Sequence, residues 1–221
     1  MQILVVGASR GIGLEFVQQY RAAGAAVVAT ARGQPGMDRL RALGARALAL
    51  DVADAHSAAA LGAQLAGAAF DVVIVAAGVY GPRTQGLQVP TQDEFDAVMH
   101  TNLLGAMRVL PQVVDALSPG ARLAVISSQM GSIGGRSGTY GWLYRASKAA
   151  LNSVLKDASL TLAGRAISVA LHPGWVRTDM GGAGADLDVV TSVADMRRTL
   201  AGLRAADNGG FFNHDGQPLD W

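Results

Sequence analysis

Residues 3–13 read ILVVGASRGIG, and this stretch decides the fold. The four apolar residues at its start predict a short buried β-strand, and the apolar spacing that follows predicts a helix ending near Gly24. The turn between them holds Gly7, Gly11 and Gly13. Glycines permit a tight turn in which backbone N–H groups at a helix N-terminus approach a pyrophosphate. An ordinary strand-to-helix loop is the alternative, but the place of this turn at the start of a βαβ pattern favours a dinucleotide site.

The same alternation of strand and helix runs through most of the chain. Short apolar runs predict five more strands, at residues 26–31, 47–50, 72–76, 123–127 and 167–171. Helical patterns lie between them, at residues 39–43, 57–65, 94–117 and 144–162. We therefore predict an α/β fold: a single domain over residues 1–221 with a Rossmann-type, doubly wound parallel sheet and helices on both faces. The Gly/Ala-rich segment at 181–184 is predicted to be a loop within this domain.

Composition excludes several classes of protein. Half of the 221 residues are hydrophobic, 16% are charged and the net charge is +1, so no broad basic surface for nucleic acid is expected. Cysteine is absent, which rules out disulfides and thiolate chemistry, and the four histidines share no metal-like spacing. Apolar runs fall far short of the roughly 18 residues of a membrane span, and no signal-peptide pattern precedes the first strand. We expect a cytoplasmic protein that acts on a small molecule and binds no metal, nucleic acid or membrane.

The residues after the second strand indicate which dinucleotide the turn accepts. An acidic residue there would bind the free 2′-hydroxyl of NAD, but the chain has Thr30-Ala31-Arg32. Arg32, together with Arg10 from the glycine turn, would neutralise the 2′-phosphate of NADP. Two solvated surface arginines are the alternative. The pattern favours NADP(H).

Tyr144 and Lys148 stand four residues apart on a predicted helix and therefore share one of its faces. A free tyrosine has a pKa near 10, so it is a poor acid–base catalyst at neutral pH. A nearby ammonium group and an oxidised nicotinamide would stabilise the phenolate and lower that pKa. The tyrosine would then exchange a proton with a carbonyl oxygen. Taken alone, such a helical pair is usually structural.

Together these motifs resemble those of the short-chain dehydrogenase/reductase family. The turn at 7–13 is similar to the family's TGxxxGIG cofactor turn, Ile126-Ser127-Ser128 to its ISS motif, and Tyr144 with Lys148 to its YxxxK motif. The segments 175–182 and 209–216, with Trp221 at the end, resemble the C-factor/sniffer-like carbonyl reductase branch. This resemblance spans essentially the whole chain. It implies an NADP(H)-dependent oxidoreductase that transfers hydride between nicotinamide and an aldehyde, ketone or alcohol.

The resemblance also implies roles for individual residues. Tyr144 would donate the proton, Ser128 would polarise the substrate carbonyl, and Lys148 would hold the ribose and tune the tyrosine. Asn102 would hold a water in line with the lysine, although a buried structural asparagine is the alternative, and Ser127 is the lesser candidate for the serine. The implied cofactor contacts are Gly7, Ser9, Arg10, Gly11, Ile12, Gly13, Arg32, Asp51, Val52, Ala77, Gly78, Tyr144, Lys148, Pro173, Gly174, Val176 and Thr178.

The chain departs from the family pattern in three places. Val6 replaces the threonine that opens the cofactor turn, and Val75-Ala76 replaces an Asn-Asn pair after the fourth strand. The loss of the asparagine hydrogen bonds puts stability or cofactor affinity in doubt, more than the reaction class. A short insertion carries Tyr140 and Trp142, which are predicted to form a pocket wall or to pack. A separate alternative concerns Asp51, which could equally be a helix cap.

The family resemblance leaves the activity itself open to a second hypothesis. The chain could be a cofactor-binding signalling or regulatory protein with little turnover, although such a protein would not need Ser128, Tyr144 and Lys148 together. Turnover that depends on Tyr144 separates the two hypotheses. The resemblance further implies a cofactor half at about 1–120, a catalytic and substrate half at about 121–221, and a homodimer formed through the helices that start near residues 94 and 144.

Overall fold

Seven parallel β-strands form one sheet in the computed structural model, which describes all 221 residues. The strands are β1 (Gln2–Val6), β2 (Ala26–Ala31), β3 (Arg46–Ala49), β4 (Phe70–Val75), β5 (Leu117–Ile126), β6 (Ala166–His172) and β7 (Phe211–Asn213). Their order is β3-β2-β1-β4-β5-β6-β7, and every neighbouring pair is parallel. The strand order reverses between β1 and β4, the place where doubly wound sheets bind ligands. The predicted fold class is confirmed.

Helices cover both faces of this sheet. They are α1 (Gly11–Ala22), α2 (Gln34–Ala42), α3 (Ala55–Ala59), α4 (Leu61–Gln64), α5 (Gln92–Met99), α6 (Gly105–Val113), α7 (Trp142–Thr161) and α8 (Val189–Gly202). Ile3 and Val5 of β1 pack with α1, α2 and α8, whereas Leu4 and Val6 pack with α4, α6 and α7. Because both faces are buried, the central strands are continuous apolar runs. None of these helices is both long and apolar enough to span a membrane.

The C-terminal part of the chain contains two elements that the sequence analysis did not predict. Helix α8 buries Val193, Met196 and Leu200, and β7 extends the sheet beside β6. Strand β7 is only three residues long and only its first residue, Phe211, is fully buried. Three residues are too few to show a strand period. Pairing with β6, a tertiary contact, makes this segment a strand.

The helix predicted over residues 94–117 is wrong in its extent. A π-helical turn at His100–Leu104 separates α5 from α6, and a 3₁₀ turn at Val114–Ala116 precedes β5. Leu117 pairs with Phe70 of β4, so the chain joins the sheet at this point. An apolar residue satisfies a helical and a strand pattern equally, so periodicity alone does not place this boundary.

Candidate active site

A cavity of about 350 Å³ opens beside the turn between β1 and α1. We call it the turn cavity. Many of the residues predicted to contact a dinucleotide line it. They are Gly7, Ser9, Arg10, Gly11, Ile12, Gly13, Arg32, Asp51, Val52, Ala77, Gly78 and Thr178.

The glycine turn has a shape that only glycine permits at two positions. Gly7 has a φ of +84°, and a Cβ there would lie 2.6 Å from the backbone nitrogen of Ala77. A Cβ on Gly13 would overlap the carbonyl oxygen of Gly7. No side chain caps the N-terminus of α1, which begins at Gly11. Bare backbone and an uncapped helix N-terminus form a cradle that suits a phosphate group.

The strand ends next to this turn are joined without the family's threonine and asparagines. The N–H of Gly7 donates to Oγ1 of Thr30 over 3.0 Å, and the N–H of Ala76 donates to the carbonyl of Val6 over 2.8 Å. The sequence analysis missed this role of Thr30, because a buried strand pattern does not reveal the partner of a turn N–H. Hydrogen bonds therefore still tie β1 to both of its neighbours near the turn.

Arginines surround the glycine turn. Arg32 is exposed at the edge of the turn cavity. Arg10 pairs with Asp179, with 3.0 Å between Nη1 and Oδ2, and both side chains are mostly exposed. Such a pair contributes little stability, so Arg10 can exchange it for a phosphate. Arg39 of α2 was not predicted; its Nε and Nη2 donate to the carbonyl of Ser9 over 3.2 and 3.0 Å.

Asp51 and Val52 follow β3 and line the turn cavity. The capping alternative for Asp51 is wrong, because Asp54 caps α3 by accepting a hydrogen bond of 2.6 Å from the N–H of Ser57. Asp51 Oδ1 instead accepts from the N–H of Ala53 over 3.0 Å. Its carboxylate is thus held at the cavity wall.

A second cavity, of about 540 Å³, adjoins the turn cavity. Ile12, Thr178 and Met180 line both of them. We call the second one the tyrosine cavity, because Tyr144 lies in its wall. The other residues predicted for the site that line it are Ser127, Ser128, Pro173, Gly174 and Val176.

Tyr144 keeps its proton at neutral pH. Burial raises the pKa of its phenol to about 12, and a hydrogen bond with Ser128 acts in the opposite direction with a smaller effect. Burial outweighs the other influences of the protein on the phenol, and the lowered pKa expected from the ammonium group together with an oxidised nicotinamide stays a prediction. Ser127 is engaged elsewhere, since its Oγ donates to Oδ1 of Asn152 over 2.6 Å. Ser128 is therefore the serine that faces the phenol.

Lys148 lies behind the cavity walls and lines neither cavity. Its Nζ donates to the carbonyl of Ile126 over 2.8 Å and lies 5.7 Å from the ring centroid of Tyr144. Burial lowers the pKa of this ammonium group to about 8. At neutral pH, Lys148 thus holds a positive charge close to the Tyr144 ring.

Asn102 also lies behind the cavity walls. Its Oδ1 accepts from the N–H of Val79 over 2.8 Å, while Nδ2 donates to the Val79 carbonyl over 2.8 Å and to Ser147 Oγ over 2.9 Å. The π-helical turn at His100–Leu104 carries this side chain, and such turns often occur at functional sites. Because Ser147 belongs to the helical turn with the tyrosine and the lysine, Asn102 fastens that turn to the segment after β4. This geometry favours a structural contribution.

Tyr80 was not predicted, and it stacks on Tyr144 with 4.5 Å between ring centroids and 21° between ring planes. Tyr140 lines the tyrosine cavity and is tilted against Tyr80, with 6.2 Å between centroids. Trp142 does not line it; its Nε1 donates to the carbonyl of Gln88 over 3.0 Å. No sequence pattern links residues 80 and 144. The loop after β4 brings them together only in the folded chain.

The lowered pKa of Lys148 predicts how stability changes with pH. The unfolded chain holds this proton up to a pKa of 10.5 and the folded chain only to about 8, so the unfolded state binds more protons between these values. The free energy of unfolding contributed by Lys148 therefore rises with pH across this window. Relative to Lys148→Met, the wild type should gain about 2 kcal/mol from pH 8 to pH 10, measured by urea unfolding. Lys156→Met, which changes the exposed second lysine, should not reproduce the difference, and parallel curves for wild type and Lys148→Met would contradict the prediction.

Comparison with known proteins gives a consistent result. The chain matches the short chain dehydrogenase family over residues 1–186. It is 40% identical over 123 residues to the C-signal of Myxococcus xanthus, which covers 54% of this chain and 74% of that protein. Its structure resembles the carbonyl reductase Sniffer of D. melanogaster (TM-score 0.86, 31% identity), covering 100% of this chain and 99% of that one. It also resembles a carbonyl reductase from Pseudomonas aeruginosa PAO1 in complex with NADP (TM-score 0.85, 34% identity), with the same coverage.

The matched family region contains the glycine turn, both cavities' principal walls, and the Ser128–Tyr144–Lys148 group. The solved relatives extend the likeness over the full length of the chain. This protein belongs to the short chain dehydrogenase family of oxidoreductases.

Proposed function

We propose that this oxidoreductase is an NADP(H)-dependent reductase of aldehydes or ketones. One observation carries the proposal: Tyr144 and Ser128 line the same cavity, and that cavity adjoins the glycine-turn cavity. A carbonyl compound in the tyrosine cavity would therefore lie beside the nicotinamide end of a dinucleotide. Ile12 and Thr178, which line both cavities, would stand at the junction.

The turn cavity suits NADP(H) in several ways. The turn that forms the cradle can close only because Gly7 and Gly13 have no Cβ that would overlap the neighbouring backbone. Arg10 and Arg32 supply positive charge for the 2′-phosphate, and Asp51 would contact the adenosine. The carbonyl reductase from P. aeruginosa, similar over its full length, was solved in complex with NADP.

The side chains of the tyrosine cavity supply the proton chemistry. NADPH, when bound, supplies the hydride for the carbonyl carbon. Tyr144 carries its proton at neutral pH and donates it to the carbonyl oxygen. Ser128 hydrogen-bonds the same oxygen and so stabilises the charge that develops on it.

Lys148 and Asn102 act from behind this pair. The ammonium group of Lys148 would stabilise the phenolate left after Tyr144 gives up its proton, and it is the group that would hold a ribose hydroxyl. Oδ1 of Asn102 and Nζ of Lys148 each lie 3.4 Å from the place of a Cβ on Gly78, so a larger residue at 78 would come between them. Asn102 is best described as a positioning residue.

Different halves of the chain would supply the residues for cofactor binding and for proton transfer. Most of the turn-cavity wall comes from residues 1–120, and the hydroxyl groups of the tyrosine cavity that react come from residues 121–221. This distribution supports a cofactor half and a catalytic half within the one domain.

Removal of Arg32 should weaken the preference for NADPH over NADH. Hydrogen bonds between a guanidinium and a phosphate contribute about 1.5–3 kcal/mol, so Arg32→Ala should lower the ratio of the two affinities by about tenfold or more. Cofactor fluorescence titrations measure both affinities. Arg41→Ala is the matched control, because Arg41 is exposed on α2, pairs with Asp38 and does not line the cavity. An unchanged ratio in Arg32→Ala would remove Arg32 from the phosphate site.

The function is tested by the consumption of NADPH, and of NADH beside it, over a panel of aldehydes, ketones and quinones. We expect oxidation of NADPH that requires a carbonyl compound. If NADPH binds tightly and no compound on the panel is reduced, the regulatory hypothesis takes the lead; the C-signal relative gives that hypothesis its own support.

We also propose that two copies of the chain associate through the helices α5, α6 and α7. Phe95, Met107 and Leu160 on these helices are large apolar residues with exposed fractions of 44%, 49% and 66%. Burial of such side chains favours association. Light scattering of the purified protein gives its mass, and a monomer at micromolar concentration would refute the pairing.

A further inference from the structure

The tyrosine cavity carries positive charge that nothing in its wall neutralises. Arg83 and Arg145 line it, and no aspartate or glutamate does. The remaining titratable base in the wall is His172, whose pKa burial and the nearby His214 lower to about 4, so that it is uncharged at neutral pH. The cavity that would receive the substrate therefore has two guanidinium groups and no carboxylate.

Neutral groups hold both guanidiniums in place. Arg83 donates from Nη1 to the hydroxyl of Tyr140 over 3.2 Å and from Nη2 to the carbonyl of Met180 over 3.0 Å. Arg145 donates from Nε to the carbonyl of Tyr140 over 2.8 Å. Tyr140 thus binds one arginine through its side chain and the other through its backbone. Neither arginine forms an ion pair, and each keeps N–H groups that have no protein partner.

The arginines also lie at a defined place relative to the reacting groups. The guanidinium of Arg83 lies 5.1 Å from the ring centroid of Tyr80, and Tyr80 stacks directly on Tyr144. The ring of Tyr80 therefore contacts both the cation and the ring of the proton donor. The field of Arg83 already favours negative charge at this place, since its hydrogen bond lowers the pKa of Tyr140. Asp179, which lines the turn cavity, is paired with Arg10, which does not line the tyrosine cavity.

We propose that the natural substrate is an acidic carbonyl compound, whose oxyanion group binds Arg83 and Arg145 while its aldehyde or ketone group reaches Tyr144. Both arginines and Tyr144 line the same cavity, and a phenyl ring is the spacer in the probes that test the proposal. Arginine forks match the planar oxygens of carboxylates and also bind phosphates. The inference rests on the proposed function, because it assigns the substrate of the same site.

Aldehydes of similar shape but different charge test whether the cavity prefers an anionic substrate. The probes are 4-carboxybenzaldehyde, 4-formylphenyl phosphate and the uncharged methyl 4-formylbenzoate, each assayed with saturating NADPH. We expect kcat/KM for at least one anionic aldehyde to exceed that of the ester by about tenfold, the value of one charge-assisted contact. Comparison of kcat/KM for 4-carboxybenzaldehyde with kcat/KM for 4-formylphenyl phosphate shows which oxyanion the cavity prefers. Equal or higher kcat/KM for the ester would overturn the proposal.

Substitutions then assign the preference to particular residues. Arg83→Gln and Arg145→Gln should each lower the ratio of anionic to neutral kcat/KM by about fivefold to tenfold, mainly through KM. Tyr140→Phe, which removes only the hydroxyl acceptor of Arg83, should lower it by a smaller factor. Arg136→Gln is the matched control, since Arg136 is exposed on the neighbouring loop and does not line the cavity. A ratio that falls equally in Arg136→Gln would show a general surface charge effect and would refute the assigned site.

Binding measurements keep this inference separate from the proposed function. Calorimetry of the NADPH-saturated protein with benzoate, phenyl phosphate and benzamide needs no turnover. Tighter binding of an anion than of benzamide, lost in Arg83→Gln, supports the anion site even if no aldehyde is reduced. In that case the proposed carbonyl reduction would be wrong and the anion site would stand. Equal binding of benzoate, phenyl phosphate and benzamide, with all three aldehydes reduced, would leave the proposed reaction standing and refute the acidic substrate.

Discussion

Tyr144→Phe is expected to lower kcat for carbonyl reduction by about a thousandfold, with the protein still folded and NADPH still bound. The phenol lines the tyrosine cavity together with Ser128, and it carries its proton at neutral pH. General acid catalysis by a positioned side chain contributes about 10²–10⁴-fold to a rate. Phenylalanine preserves the ring that stacks on Tyr80, so the cavity keeps its shape. The measurement is steady-state oxidation of NADPH with the best aldehyde of the panel, together with a fluorescence titration of NADPH.

Two other tyrosines provide the controls. Tyr20→Phe removes a buried hydroxyl from α1, far from the cavities, and should change kcat by less than about twofold. Tyr140→Phe alters the neighbouring wall and should cost at most about tenfold. If Tyr144→Phe keeps more than a tenth of the wild-type rate, or if Tyr140→Phe is the more damaging change, the proton comes from another group and the assignment is wrong.

Gly7→Ala is expected to lower the free energy of unfolding by about 2–5 kcal/mol and to abolish measurable NADPH binding. A left-handed conformation at φ +84° costs a non-glycine residue about 1–2 kcal/mol. The added methyl group would lie 2.6 Å from the backbone nitrogen and Cα of Ala77, and overpacking of this kind costs about 1–3 kcal/mol more. Relief of that overlap requires the ends of β1 and β4 to separate. The cradle for the pyrophosphate lies at those strand ends, so the cofactor site opens with them.

Gly24→Ala separates the two causes of the stability loss in Gly7→Ala, which are the left-handed backbone conformation and the overlap with Ala77. Gly24 has nearly the same conformation, with φ of +78°, but no atom lies within 4 Å of its Cβ position. It follows α1 on the side away from the turn and should cost only the conformational strain, about 1–2 kcal/mol, with NADPH affinity retained. Urea unfolding and cofactor titration give both quantities for both variants. Equal losses in the two variants would show that the contact with Ala77 has no influence on the turn.

The local features of this fold were accessible from the sequence. The first six strands were predicted from their apolar runs, five of them within two residues at each end, whereas β5 begins at Leu117, six residues before its predicted start. The seventh strand and α8 were missed. Strand β7 has three residues and owes its conformation to β6, and Leu117 joins β5 because Phe70 is its partner. Such pairings join residues far apart in the chain, and no local period records them.

Some residues of the candidate site were also predicted from the sequence, and others became apparent only in the structure. The glycine turn and the tyrosine–lysine pair were found by spacing, and their residues indeed surround two adjoining cavities, apart from Lys148 and Asn102, which stand behind the walls. Thr30, Arg39 and Tyr80 were not found, although each contacts a predicted residue directly. The burial that raises the pKa of Tyr144 was not foreseen either.

By itself, the sequence determined those properties that depend on neighbours in the chain. It set the alternation of strands and helices, the left-handed turn that requires Gly7, and the shared helix face of Tyr144 and Lys148. Tertiary structure alone decided the hydrogen bond from Gly7 to Thr30, the stacking of Tyr80 on Tyr144, and the pair of arginines held by Tyr140. It also decided the protonation of Tyr144, since a pKa depends on the burial of the group and the charges around it. Burial and charge environment arise only when distant segments pack together, and spacing within the chain does not encode them.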